Sequence, residues 1–289
     1  MRPAATALIA ATAGFAAMMA VYPHYAAGAA IGGLTGFLCL WIWPRTGPRP
    51  LAGVSLSASP VRRRIASIYL GGAIAAASIA TAAGSMALWL YWVAVALALV
   101  AAIYAVTGAA GFQKRGGSHS LAVSVLTAPY LVAARLLPVL RSRKHPAPSA
   151  IRDGVWLGRL PFSRGMARSE FAALLDLTAE LSIAQGSWRY ASMPWLDLVP
   201  PAPADLAAAA REIERLRLEG GPVLVSCAMG RGRSAIAVAA WLLLTGRAED
   251  AADAIGQVRT YRPQVVIRPA HCQALAECER VWRTPSPRA

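Results

Sequence analysis

Residues 227–234, CAMGRGRS, place a thiol and a guanidinium in one short run, Cys227 and Arg233 with five residues between them. The preceding PVLVS (222–226) is short, apolar and β-branched, which suits a buried central strand. The following SAIAVAAWLLLTG (234–246) reads as an apolar helix stopped by Gly246. In a loop between strand and helix, backbone N–H groups point inward and the helix N-terminus adds partial positive charge. Gly230 and Gly232 admit backbone conformations closed to other residues and close approach of a ligand. Ala228, Met229, Gly230, Arg231 and Gly232 then form a cradle for a tetrahedral oxyanion, and Arg233 adds a planar fork for two phosphate oxygens. At the base of that positive cradle the pKa of Cys227 should fall, so that the thiolate predominates. A thiolate beneath a bound phosphorus is a nucleophile in line for attack. Ser234 can donate to the sulfur and ease its departure.

The elements around this loop alternate between strand and helix over 151–289. GVWLG (154–158) and WRYASMP (188–194) read as strands. SEFAALLD (169–176) reads as a helix with Ser169 as its N-cap, PADLAAAAREIERLRLEG (203–220) as a helix ending in glycine, and AEDAADAIGQVRTY (248–261) as an amphipathic helix before Pro263. Asp205 reads as a first-turn residue of the 203–220 helix. The order implies an α/β domain with a central sheet flanked by helices.

With these residues in view, Cys-x5-Arg-Ser resembles the signature loop of the cysteine-dependent phosphatases, in the dual-specificity branch. MPWLDLVPPAPADL resembles the general-acid loop of that branch, with Asp197 thirty residues before Cys227. The similarity covers about 150–275, under half of the chain. The resemblance implies a two-step hydrolysis of phosphomonoesters. Cys227 attacks phosphorus while Asp197 protonates the leaving oxygen, and water then hydrolyses the phosphocysteine with Asp197 as base. Arg233 and the loop amides stabilise the equatorial oxygens, and no metal or cofactor is implied. Two residues depart from the pattern. Ser226 stands where the family usually has a histidine that orders the loop and tunes the thiol. Arg231 stands where protein-directed members often carry an aromatic or neutral residue. A basic residue there is similar to phospholipid phosphatases of the tensin-homologue and phosphatidylglycerophosphatase kinds, although Ala228 lacks the further basic residue they often have after the cysteine.

Composition divides the chain of 289 residues in two. All 14 acidic residues lie at or after Asp153, and residues 1–150 hold 12 of the 29 Lys and Arg with no acid. The basic residues of the first half flank apolar runs and form no solvated stripe, which is a membrane pattern and excludes nucleic acid as the partner. Four runs reach the roughly 20 residues a spanning helix needs: Ala4–Val21, Tyr25–Trp43, Ile65–Gly84 and Met86–Phe112. Five arginines in 44–64 and the QKRGG of 113–117 place both ends of this four-helix unit in the cytoplasm by the positive-inside rule. A fifth apolar run, 120–140, is basic on both flanks and reads as an interfacial helix. The expected organisation is a four-helix transmembrane domain over 1–118, an interfacial segment and basic linker over 119–150, and the phosphatase-like domain over 151–289. The spans carry no Asp, Glu, Lys or His, which disfavours a transporter. Cys272 and Cys278, with His271, do not match zinc spacing.

The expected function is that of a multi-pass inner-membrane phosphatase with its catalytic domain in the cytoplasm, acting on phosphorylated proteins or phospholipid headgroups. The alternative is a catalytically weak, phosphate-binding pseudophosphatase tethered to the bilayer, to which Ser226 points.

Overall fold

The computed structural model describes residues 59–142, 147–161, 171–183 and 186–283. The expected spans Ala4–Val21 and Tyr25–Trp43 lie outside these residues. The described residues form two compact units: those up to 113 with 119–133, and 114–118 with those from 134 onward.

In the first unit, Ser59 caps helix α1 (Pro60–Ala83), its side chain accepting from the Arg62 amide at 3.3 Å, and Pro60 opens the first turn. Helix α2 (Trp89–Ala102) continues through a π turn and a 3-10 turn to Phe112. Small buried residues on α1, Ala73, Ala76 and Ala80, permit close approach of helices. The stretches Pro60–Ala87 (mean hydropathy 1.7) and Trp89–Phe112 (2.3) are long and apolar enough to cross a membrane. They coincide with the third and fourth expected spans. The 120–140 segment is two helices, α3 (Leu121–Leu126) and α4 (Ala128–Arg141), broken at Thr127.

The second unit is built on a mixed sheet of five strands among the described residues: β1 (Ser149–Arg152), β2 (Val155–Arg159), β3 (Ala173–Thr178), β4 (Arg189–Trp195) and β5 (Val223–Cys227). Their spatial order is β1-β2-β5-β3-β4, with β1 antiparallel and the rest parallel. Central β5 is buried along its whole length, as its apolar run requires. Val223, Val225 and Cys227 face one side with Leu175 and Leu177. Helices α5 (Pro203–Leu218), α6 (Arg233–Leu244), α7 (Ala251–Tyr261) and α8 (Pro269–Arg283) contribute to the core on that side. Leu174 and Leu224 face the other side with Leu160, Leu181 and Trp188, against which Ala134 packs.

One expectation changes. The 169–176 helix is instead strand β3 from Ala173 on. ALLDLT is buried at every position between two parallel neighbours, and that burial overrides the helical propensity of alanine and leucine. Residues 114–118 and the end of α4 belong to the unit that holds the sheet.

Candidate functional site

Strand β5 ends at Cys227 and α6 begins at Arg233, so the loop between them opens at the carboxyl end of the parallel strands, where open α/β sheets bind ligands. Cys227 is 3% exposed, and its Sγ stands 3.2 Å from Ser234 Oγ. Burial opposes ionisation of this thiol. The Arg233 guanidinium, the Ser234 hydroxyl and the Ser234 and Arg231 amides outweigh it and hold the pKa below the ordinary thiol value.

Of the two loop glycines, only Gly230 needs a glycine's freedom. Its φ is +66°, and a Cβ there would collide with the Gly158 carbonyl and the Arg159 amide of β2. Gly232, at φ −115°, would place a Cβ 3.8 Å from Val266 O, an ordinary contact. The loop is held from outside as well. Arg262, 1% exposed, donates from Nε to Gly230 O at 2.9 Å and from Nη1 to Ala147 O and Ser149 Oγ at 3.0 Å. The Val266 amide donates to Arg231 O at 2.8 Å.

Arg233 is buried and held through both terminal nitrogens. Nη1 donates to Glu180 Oε2 at 2.8 Å and to Trp195 O at 2.9 Å, and Nη2 donates to Glu180 Oε1 at 2.6 Å. Asp197 Oδ1 lies 3.3 Å from Nη2, with a side chain 47% exposed. Asp197 follows β4, and the next residue, Leu198, holds φ +64°, a conformation uncommon for any residue but glycine. Cys227, Arg233, Ser234 and Asp197 are therefore assembled around one loop. Ala228 is buried, while Met229, Arg231 and Gly232 are partly buried. Arg231 Nη2 donates to Arg141 O at 3.3 Å. Ser226 is buried on the opposite face of β5 and donates to Leu175 O at 3.3 Å. Asp205 accepts from the Ala202 amide at 3.3 Å at the start of α5, the first-turn role expected of it.

Two neighbours of the site carried no sequence signal. Glu180 sits after β3 in an unremarkable TAELS run, and Arg262 follows α7, 35 residues beyond Cys227. His271, buried at the start of α8, lies within the fields of Arg268 and Asp197; burial holds its pKa low. Among the described residues, no cluster of three His, Cys, Asp or Glu side chains could hold a metal ion.

Residues 157–281 match the family model for the dual specificity phosphatase catalytic domain. Comparison with curated proteins finds no match. Similar solved structures include PTPMT1, 23% identical over 47% of this chain and 96% of its own, with a TM-score of 0.42. Tk-PTP in its active form is 29% identical over 47% and 98%, with a TM-score of 0.43. Human DUSP28 is 22% identical over 48% and 99%, with a TM-score of 0.43. Residues 157–281 are thus similar to the catalytic domain of the dual-specificity phosphatases.

Proposed function

We propose that the chain hydrolyses phosphomonoesters through a phosphocysteine formed on Cys227. The observation that carries this reading is a buried thiol with a lowered pKa, bonded to Ser234 and facing Arg233 at the start of a helix. In the first step Cys227 Sγ forms a bond to phosphorus as the ester P–O bond breaks, and Asp197 gives its proton to the departing oxygen. In the second, Asp197 takes a proton from water, the water oxygen bonds to phosphorus, and the thiolate leaves with a hydrogen bond from Ser234. Arg233 and the amides of 228–233 hold the equatorial oxygens, whose charge is conserved through both steps.

The apolar helices supply the location. Ile68, Ile74 and Ile79 on α1 and Trp89 on α2 are exposed, which suits lipid contact for a spanning pair. The substrate is then a phosphoprotein or phospholipid headgroup presented near a bilayer, and Arg231 favours one with a second anionic group. The test is phosphate release by the full-length chain in bilayers, offered phospholipids and phosphopeptides in parallel. Release from either class that disappears in Cys227→Ser supports the reading. Equal release by that variant, or release from neither class and none from p-nitrophenyl phosphate, contradicts it.

A further inference from the structure

Only two of the 29 basic residues are lysines, and one of them, Lys114, is buried beside the phosphate loop's supports. It lies two residues after the second apolar stretch and outside the 157–281 segment that matches the phosphatase family. The side chains of Lys114 and Asp176 are both 0% exposed, and Nζ stands 2.5 Å from Asp176 Oδ2. Nζ also donates to Thr178 O at 2.7 Å and to Thr178 Oγ1 at 2.9 Å. Three acceptors around one nitrogen suit the three donors of an ammonium, not the planar fork of an arginine.

Asp176 organises the turn that follows β3. Its Oδ1 accepts from the Thr178 amide at 2.8 Å and from Thr178 Oγ1 at 2.7 Å, and Tyr190 donates to Oδ2 at 2.9 Å. Glu180, which grips Arg233 through both carboxylate oxygens, lies two residues beyond Thr178. The far side of the same turn is held by the same outside segment. The Ile183 amide donates to Gly117 O at 2.9 Å, and Gly117 has φ +83° and packs so closely on Ile183 and Tyr190 that a Cβ would collide with Ile183. Arg135 of α4 adds a bond to Ser182 O at 3.2 Å. Residues 178–183 are thus pinned at both ends by 114–118, with Glu180 between the pins.

We infer that Lys114 is a positioning residue of the phosphate site, a cation from outside the matched family segment that fixes the 176–180 turn and, through Glu180, the guanidinium of Arg233. The inference rests on the phosphatase reading. It makes the segment after the apolar helices part of the working catalytic unit, so orientation of Arg233 depends on a residue about 66 positions before the turn that holds it.

The test uses the full-length chain with p-nitrophenyl phosphate as substrate and vanadate as a probe of the equatorial-oxygen contacts. Lys114→Met strands a buried carboxylate and is expected to lower the thermal midpoint. Lys114→Met/Asp176→Asn removes both charges of the pair and is expected to recover most of that loss. In the double variant, kcat is still expected to fall and the vanadate inhibition constant to rise by about ten- to a hundredfold, the scale of a small misplacement in an active site. KM is expected to change little. A purely structural lysine would move the midpoint alone. Wild-type kcat and vanadate inhibition in the folded double variant, or failure of the double variant to fold, overturns the inference. A wild-type chain that neither turns over nor binds vanadate overturns the phosphatase reading and this inference with it.

Discussion

Glu180 and Arg233 form a buried two-pronged ion pair, Oε1 to Nη2 at 2.6 Å and Oε2 to Nη1 at 2.8 Å, with side chains 5% and 3% exposed. The pair explains how a guanidinium is kept in an apolar core and aimed at one loop. Burial alone would push the Glu180 carboxyl up, but Arg233 overrides it and the pKa lies below the ordinary 4.5. A lowered folded-state pKa stabilises the fold above the unfolded value and loses that contribution as pH falls through the folded one. Glu180→Gln leaves the guanidinium buried without its counter-charge and is expected to cost about 3–5 kcal/mol. It should also remove one acid limb from the stability profile. Thermal midpoints measured across the acid range check both, and an unchanged midpoint with an unchanged acid slope would contradict the pair's role.

Cys227 should ionise more readily than an ordinary thiol, because Arg233 and the loop donors outweigh its burial. Inactivation by iodoacetate, followed against pH, should therefore show a midpoint below the ordinary 9.0. Arg233→Ala is expected to move that midpoint upward, since the largest favourable field on the sulfur is gone. A midpoint that stays put in the variant would mean that the loop amides and Ser234 suffice.

Asp197 is half exposed, and its Oδ1 lies 3.3 Å from Arg233 Nη2, beside the guanidinium proposed to hold the phosphate. Asp197→Ala should lower kcat by about 10²–10⁴ while leaving KM near the wild-type value. The loss should be largest for substrates with poor leaving groups, and a kcat unaffected by leaving-group pKa would remove Asp197 from the acid's role.

The two loop glycines should respond differently. Gly230→Ala places a side chain at positive φ, a cost of about 1–2 kcal/mol, and drives it into the β2 backbone. Gly232→Ala meets only Val266 O at van der Waals distance. Thermal unfolding should show a large fall for the first and a small one for the second; equal effects would mean the loop tolerates repacking at Gly230.

Much of this site is legible in the residues themselves. The apolar run into Cys227, the glycines and the long apolar helix after Arg233 share one local pattern, so the strand, loop and helix follow from neighbouring positions. Asp197 is found through resemblance, and the sheet brings it to Arg233. Glu180, Arg262 and Lys114 are invisible because their partners are far along the chain: Glu180 meets Arg233, Arg262 meets Gly230 and Lys114 meets Asp176 only once the strands are in register. The run at 169–176 misleads for the opposite reason. ALLD is helical by propensity, and only its position between β4 and β5 makes it a strand.

The central claim is a covalent phosphate on Cys227. Rapid acid quench of the full-length Asp197→Ala chain during turnover of a phosphomonoester with a good leaving group, followed by peptide mass analysis, tests it most directly. The account predicts a phosphorylated peptide containing Cys227 that forms before free phosphate and decays as phosphate appears. Steady phosphate release with no label on Cys227 at any time would contradict it.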